Sequence, residues 1–161
     1  HFYAPALRTI FIRLPGEDPA SWDERICGEL LQSMYGTQDA SANWAAAFTK
    51  VLVDGGFVQG EASPCHFVMK NGVLPTMVHG DDFFACGTME QLELMRDILS
   101  KAFEIKVQTC GPWDGADRSV RILGRIVTFA KDGIGYEADP RQMEGALELM
   151  GMSDCKPCSS P

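Results

Sequence analysis

The chain has 161 residues, 45% of them hydrophobic and 22% charged, with 14 Lys and Arg against 22 Asp and Glu for a formal net charge of −8. That composition belongs to one soluble globular domain able to bury a core, and the acidic excess argues against a stand-alone nucleic-acid binder, because its long-range field repels phosphate. No apolar run nears the roughly 20 residues of a bilayer-spanning helix and no charged-then-apolar leader is present, so an intracellular protein, cytoplasmic or nuclear and away from membranes, is expected.

The chain opens at His1 and not at methionine, and "HFYAPALRTIFIRLPG" reads like the middle of a longer protein, so a fragment is expected. Within it Ile10, Ile12 and Leu14 alternate with Phe11 and Arg13 before Pro15 and Gly16, the pattern of a strand running into a loop. The polar stretch 17–25 leads to "ICGELLQSMYG", a short apolar segment compatible with either strand or helix, which ends at Gly36.

From Thr37 to Val53 the apolar side chains of Ala40, Trp44, Ala47, Phe48, Val51 and Leu52 recur on one helical face, and Gly55 and Gly56 supply the stop. Residues 57–87 read as strands broken by turns. Asn71-Gly72 is a hairpin signal because both residues accept positive φ. The apolar runs on either side of Gly80, Asp81 and Asp82 predict a second tight turn over those three, with Met77 to His79 entering and Phe83 to Cys86 leaving.

Thr88 with Gln91 forms a capping box, and Met89, Leu92, Met95, Leu99 and Phe103 follow at helical spacing. "VRILGRIVTFAKDGIGYEA" predicts a hairpin that turns at Lys131, Asp132 and Gly133. Asp139-Pro140 starts a helix with Met143, Leu147 and Met150 on one face and Gly151 as its stop, and residues 151–161 read as a linker behind a domain spanning 1–150. Hairpins mixed with separate helices, without regular strand–helix alternation, give an α+β class with an antiparallel sheet.

Six cysteines stand at 27, 65, 86, 110, 155 and 158. Only Cys155 and Cys158 have metal-like spacing; zinc needs a second pair of ligands, and His1, His66 and His79 are scattered, so reduced cysteines are expected. There is no Gly-rich phosphate loop and no Ser or Cys nucleophile motif.

The adjacent carboxylates of Asp81 and Asp82 are the remaining chemical candidates. Successive side chains on a strand point to opposite faces, so two neighbouring aspartates reach one ligand only where the backbone turns. Such a pair of hard oxygen ligands suits Mg²⁺ or Mn²⁺, which bind through one or two carboxylates plus substrate phosphate, the arrangement of phosphoryl and nucleotidyl transfer. Asp is also a common turn residue, and alone the pair reads more readily as a plain hairpin turn.

Over nearly its full length, however, the chain resembles the reverse transcriptase of copia-type retrotransposons. "LLQSMYGTQDASANW" (30–44) is similar to the family's "SLYGLKQAPRAW" block, "GGFVQGEASPCHFV" (55–68) to its "GF...S..DPCLFV", and "VHGDDFFACG" (78–87) to "YVDDLLITG". "RILGRIVTFAKDGIGY" (121–136) resembles "YFLGIEI....GI.L", and "GMSDCKPCSSP" (151–161) the tail "GM.dCKPv.TP". The resemblance implies the antiparallel palm sheet and packed helices of part of a polymerase palm and fingers, and an RNA-directed DNA polymerase acting on an RNA or DNA template with primer and dNTP. It also implies a polyprotein carrying RNase H and integrase. In the family three aspartates hold two divalent metals, one activating the primer 3′-hydroxyl and the other holding the triphosphate, with in-line attack at the α-phosphate.

Carried over by position, Asp81 and Asp82 are the catalytic and metal-binding pair, and the family's first aspartate falls a few residues before His1. His79 and Gly80 stand where the family has tyrosine and its following residue. In the 30–44 block Asp39 stands at the nucleotide-contacting glutamine, or Gln38 does if the register shifts by one, while Ser41 replaces the proline and Ala42 a basic residue. The implied nucleotide contacts are thus Gln38, Asp39, His79 and Gly80, and Trp44, retained, is read as core. With two of three carboxylates the 161 residues alone are expected to show negligible polymerase activity. The alternatives are a decayed or repurposed copy serving as a nucleic-acid-binding or structural module, and an unrelated α+β domain with an Asp pair in a turn.

Overall fold

The computed structural model describes residues 3–156, and the chain divides into two compact units, His1–Ile105 and Lys106–Pro161. In the first unit, β1 (Phe11–Ile12) pairs antiparallel with β2 (Gly28–Glu29). The ribbon continues irregularly towards the amino terminus: Leu30 N donates to Ile10 O at 2.9 Å, and Pro5 bridges Gln32. The strand expected over Ile10 to Leu14 is therefore only two residues long, and the ambiguous segment before Gly36 is extended and serves as its partner.

Helix α1 (Ala40–Asp54) presents Ala40, Asn43, Trp44, Phe48 and Leu52 to the interior, with Ala47 and Val51 packed at the margin, the face that periodicity predicts. A four-stranded antiparallel sheet follows, β3 (Phe57–Gln59), β4 (His66–Met69), β5 (Thr76–His79) and β6 (Asp82–Ala85), its spatial order equal to its chain order. The β4–β5 connection turns at Asn71-Gly72 as expected, with Gly72 N donating to Met69 O at 2.8 Å. Helix α2 (Met89–Ser100) begins with the full capping box: Thr88 Oγ1 accepts from Gln91 N, and Gln91 Oε1 accepts from Thr88 N at 2.9 Å. Met95 and Leu99 then join Trp44, Phe48, Leu52, Phe57, Phe67, Leu74, Val78 and Phe103 in one core between the helices and the sheet. Phe57, Leu52 and Leu74 are fully buried, each burial favouring folding by about 1.5–3 kcal/mol.

The second unit is a three-stranded antiparallel meander of β7 (Ser119–Ile122), β8 (Arg125–Ala130) and β9 (Gly133–Ala138), followed by helix α3 (Pro140–Leu149). The hairpin expected at Lys131 and Asp132 is present, but a further one precedes it. Leu123 and Gly124 carry φ of 48° and 72°, the two positive values of a type I′ turn, and a leucine in the first position leaves no trace of that turn in the residue pattern. Helix α3 buries none of its residues, so Met143 and Met150 of its predicted apolar face stay exposed. Cys155 is a free, exposed thiol, and Cys158, its partner in the metal-like spacing, lies outside the described residues. Among the described residues no helix is long and apolar enough to cross a membrane.

Asp139 joins the second unit together. Its side chain accepts from Arg141 N at the start of α3 and is paired with Arg121 of β7 at 2.6 Å and with Arg141 at 2.8 Å, while only 3% exposed. The Arg141 hydrogen bond first, and then the charges of Arg121 and Arg141, hold its carboxyl below the usual carboxylate range. A depressed folded value means that the stabilisation is present above the unfolded pKa of about 4 and is lost as pH falls through the folded one. Asp139→Asn is therefore expected to lower the Tm of this unit at pH 7, with the gap to the parent protein closing as melts are repeated below about pH 4.

Candidate functional site

Strands β5 and β6 pair with Thr76 opposite Ala85 and His79 opposite Asp82, which leaves Gly80 and Asp81 as a two-residue turn. Gly80 has φ of 60° and Asp81 is not among the positive-φ residues, the pattern of a type II′ turn, whose first position calls for glycine. A Cβ at Gly80 would meet nothing within 4 Å, so conformation and not space requires the glycine. The expected three-residue turn is thus one residue shorter. Asp82 opens β6, where cross-strand pairing puts its side chain on the same face as that of His79, while Asp81 stands in the turn itself; both aspartates are exposed.

Two side chains from residues 30–44 reach this tip. The Trp44 indole Nε1 donates to Gly80 O at 2.8 Å, and the Tyr35 hydroxyl donates to Asp81 Oδ2. Trp44 is 6% exposed and packs edge-on against Phe48, Phe83 and Phe103 with centroids 5.0–6.3 Å apart. It is a core residue, as expected, with its one polar atom spent on the turn. Hydrogen bonding to the Asp81 carboxylate pushes the Tyr35 phenol above its ordinary pKa.

The segment that carries Tyr35 is itself anchored. Ser33, buried, donates from its backbone N to Ala4 O at 2.7 Å and from Oγ to Pro5 O at 3.2 Å. It also accepts from Asn43 Nδ2 at 2.9 Å. Asn43 satisfies a buried amide on the apolar face of α1, where burial without a partner would be costly.

Asp39 occupies the N-cap position of α1 without a side-chain capping bond. Its carboxylate instead receives two hydrogen bonds from Arg8, at 3.1 and 3.2 Å. These, with the guanidinium charge, hold it below the usual carboxylate range. Read from sequence, Asp39 presents a bare charge that would repel a triphosphate; in the fold Arg8 offsets it. Gln38 beside it is exposed.

Of the expected site residues, His79, Gly80, Asp81 and Asp82 therefore share one hairpin tip, whereas Gln38 and Asp39 lie at the entrance to α1 with Arg8. Tyr35, Ser33, Asn43 and Arg8 escaped the sequence reading. Only Asn43 carried a local signal, a polar residue three positions after Ala40 on an otherwise apolar helical face.

Among the described residues no three or more His, Cys, Asp and Glu side chains gather into a group able to hold a metal ion, so the tip offers no all-protein cage. Two exposed neighbouring carboxylates do fit a cation that completes its coordination with water and phosphate oxygens, as Mg²⁺ does. No protein-family model, curated protein or solved structure matches the chain.

Proposed function

We propose that the chain is part of an RNA-directed DNA polymerase of the copia-type retrotransposon kind, with the β5–β6 tip as its metal-binding and catalytic turn. The observation that carries this reading is the meeting of two separate sequence blocks at one place. Tyr35 and Trp44, 46 and 36 residues from their partners, both bond the Gly80-Asp81 turn, and these are two of the blocks that resemble the family. Asp81 and Asp82 would hold Mg²⁺ or Mn²⁺, with the third carboxylate upstream of His1. A cation bound there supplies Lewis-acid stabilisation of charge on the reacting phosphate oxygens. The chain's own part is to fix the turn: Trp44 donates to its backbone at Gly80 O and Tyr35 to Asp81 Oδ2. Template, primer, dNTP and the RNase H and integrase regions of a polyprotein are the partners of this reading. Its test is primer extension by a polypeptide extended upstream to include the third carboxylate, compared with Asp81→Asn and Asp82→Asn; equal activity in all three would sink it.

A second reading has specific support. Asp39, where the family has glutamine, is engaged by Arg8, and the net charge is −8, both of which suit a module that binds or scaffolds without polymerising. Calorimetric titration of the chain with Mn²⁺ and a deoxynucleoside triphosphate separates the two. Nucleotide-dependent Mn²⁺ binding that disappears in Asp81→Asn is the result expected of the polymerase reading, and heat unaffected by that substitution is the result expected of the other.

A further inference from the structure

We infer that the outer edge of β9 is a self-association surface, on which a second copy of this chain adds its own β9 antiparallel across a two-fold axis, joining two meanders into one six-stranded sheet. Among the described residues β9 is paired on one side only, to β8. The ladder shows which of its backbone groups are left over. Asp139 N donates to Gly124 O at 3.2 Å, and Phe129 N to Arg118 O at 2.8 Å. Bonded and non-bonded pairs alternate along an antiparallel ladder, so Gly135 and Glu137 turn their N–H and C=O groups towards β8, while Ile134, Tyr136 and Ala138 turn theirs outwards.

An open edge is a template for another strand, and proteins blunt it with short strands or with charge and proline on the edge. Other edges of this fold carry such devices: β3 has three residues, β6 opens on Asp82, and β7 has four residues with Arg121 among them. Strand β9 has six residues, all exposed, and no proline, lysine or arginine. On the face it shares with Val120, Val127 and Phe129, Ile134 is 64% and Tyr136 70% exposed.

The charges around the strand favour a second copy as the occupant. Outward groups must meet outward groups, which leaves two central registers for a two-fold pair. With Tyr136 opposite Tyr136 of the copy, each Glu137 falls diagonal to its counterpart, and like charges repel. With Ile134 opposite Tyr136 of the copy, each Glu137 instead falls diagonal to the copy's Lys131, about 7–8 Å away and within reach of a long side chain. That opposite-charge contact is made twice, as is the apolar Ile134 and Tyr136 pair. Gly135 then meets its counterpart on the axis as a non-bonded pair, where Cα atoms approach to about 4.5 Å. Residues 106–161 carry seven Lys and Arg against eight Asp and Glu, so the net charge of −8 lies mostly outside this unit and opposes the approach little. A contact one strand long belongs to the small interfaces, below about 1,200 Å², and the pairing is therefore reversible.

The test is sedimentation equilibrium of the 161-residue chain, loaded from about 10 μM to about 1 mM, the range in which small transient interfaces associate, with Tm measured in parallel. The mass should rise from 17.7 kDa towards twice that value and no further. Ile134→Lys, an exposed substitution that puts like charges side by side across the axis, should hold the chain as a monomer at unchanged Tm. Lys131→Glu and Glu137→Lys should each weaken association by about tenfold, and the double variant should restore it, because opposite charges face each other again. A mass of 17.7 kDa at every loading, growth beyond a dimer, or a dimer indifferent to Ile134→Lys would overturn the inference. Charge reversals that weaken association singly without recovery in the double variant would overturn the two-fold register.

Discussion

Replacing Trp44 with alanine is expected to lower the unfolding free energy of the His1–Ile105 unit by about 3–5 kcal/mol, the range for deleting a buried large aromatic side chain. The indole is 6% exposed and lies edge-on to Phe48, Phe83 and Phe103, so its removal empties the contact between α1, β6 and Phe103, three residues beyond α2. Small domains hold only about 5–15 kcal/mol in total, which makes this loss about a fifth or more of what is available. Trp44→Phe separates the two parts of the effect. It keeps an aromatic ring in the core but withdraws the donor from Gly80 O, and a net hydrogen bond of about 1 kcal/mol predicts a smaller loss. Denaturant titration reads both. A Trp44→Ala midpoint within experimental error of the parent would contradict the packing described here.

Asp81→Asn and Asp82→Asn carry the other large expectation. On the polymerase reading each should reduce primer extension by the upstream-extended polypeptide about a thousandfold or more. That equals roughly 4 kcal/mol of transition-state stabilisation, within the several kcal/mol that a properly held metal contributes. Both aspartates are exposed, so Tm should change little, and a variant that is inactive yet as stable as its parent distinguishes lost chemistry from lost fold. A loss of only two- or threefold in either variant would leave that carboxylate without a catalytic role.

The helices were the most legible part of this protein. The face of α1, the capping box of α2 and the Asp139-Pro140 start of α3 all follow from side chains within one or two turns of each other, and such patterns act locally. Strands were less so. β1 shrank to Phe11–Ile12 because a strand lasts only as long as its partner, and that partner, β2, lies in a segment whose own type was ambiguous. The Leu123-Gly124 turn was invisible because leucine seldom adopts positive φ. At the candidate site the Asp pair and its glycine were plain in the residues, yet the turn was one residue shorter than expected. Strand pairing begins at Asp82, and only the register with β5 decides that.

By itself the sequence determined where the helices lie, that the chain reverses near Asn71, Asp81 and Asp132, and that two carboxylates stand together at one of those reversals, since each of these depends on a few neighbouring residues. Only the tertiary structure decided which distant groups govern that turn. Arg8 reaches Asp39 across 31 residues, Trp44 reaches Gly80 across 36, and Tyr35 reaches Asp81 across 46. The reason is physical: these contacts form because α1 packs its aromatic face on the sheet and brings its flanking loop with it, and no local window of residues encodes that approach.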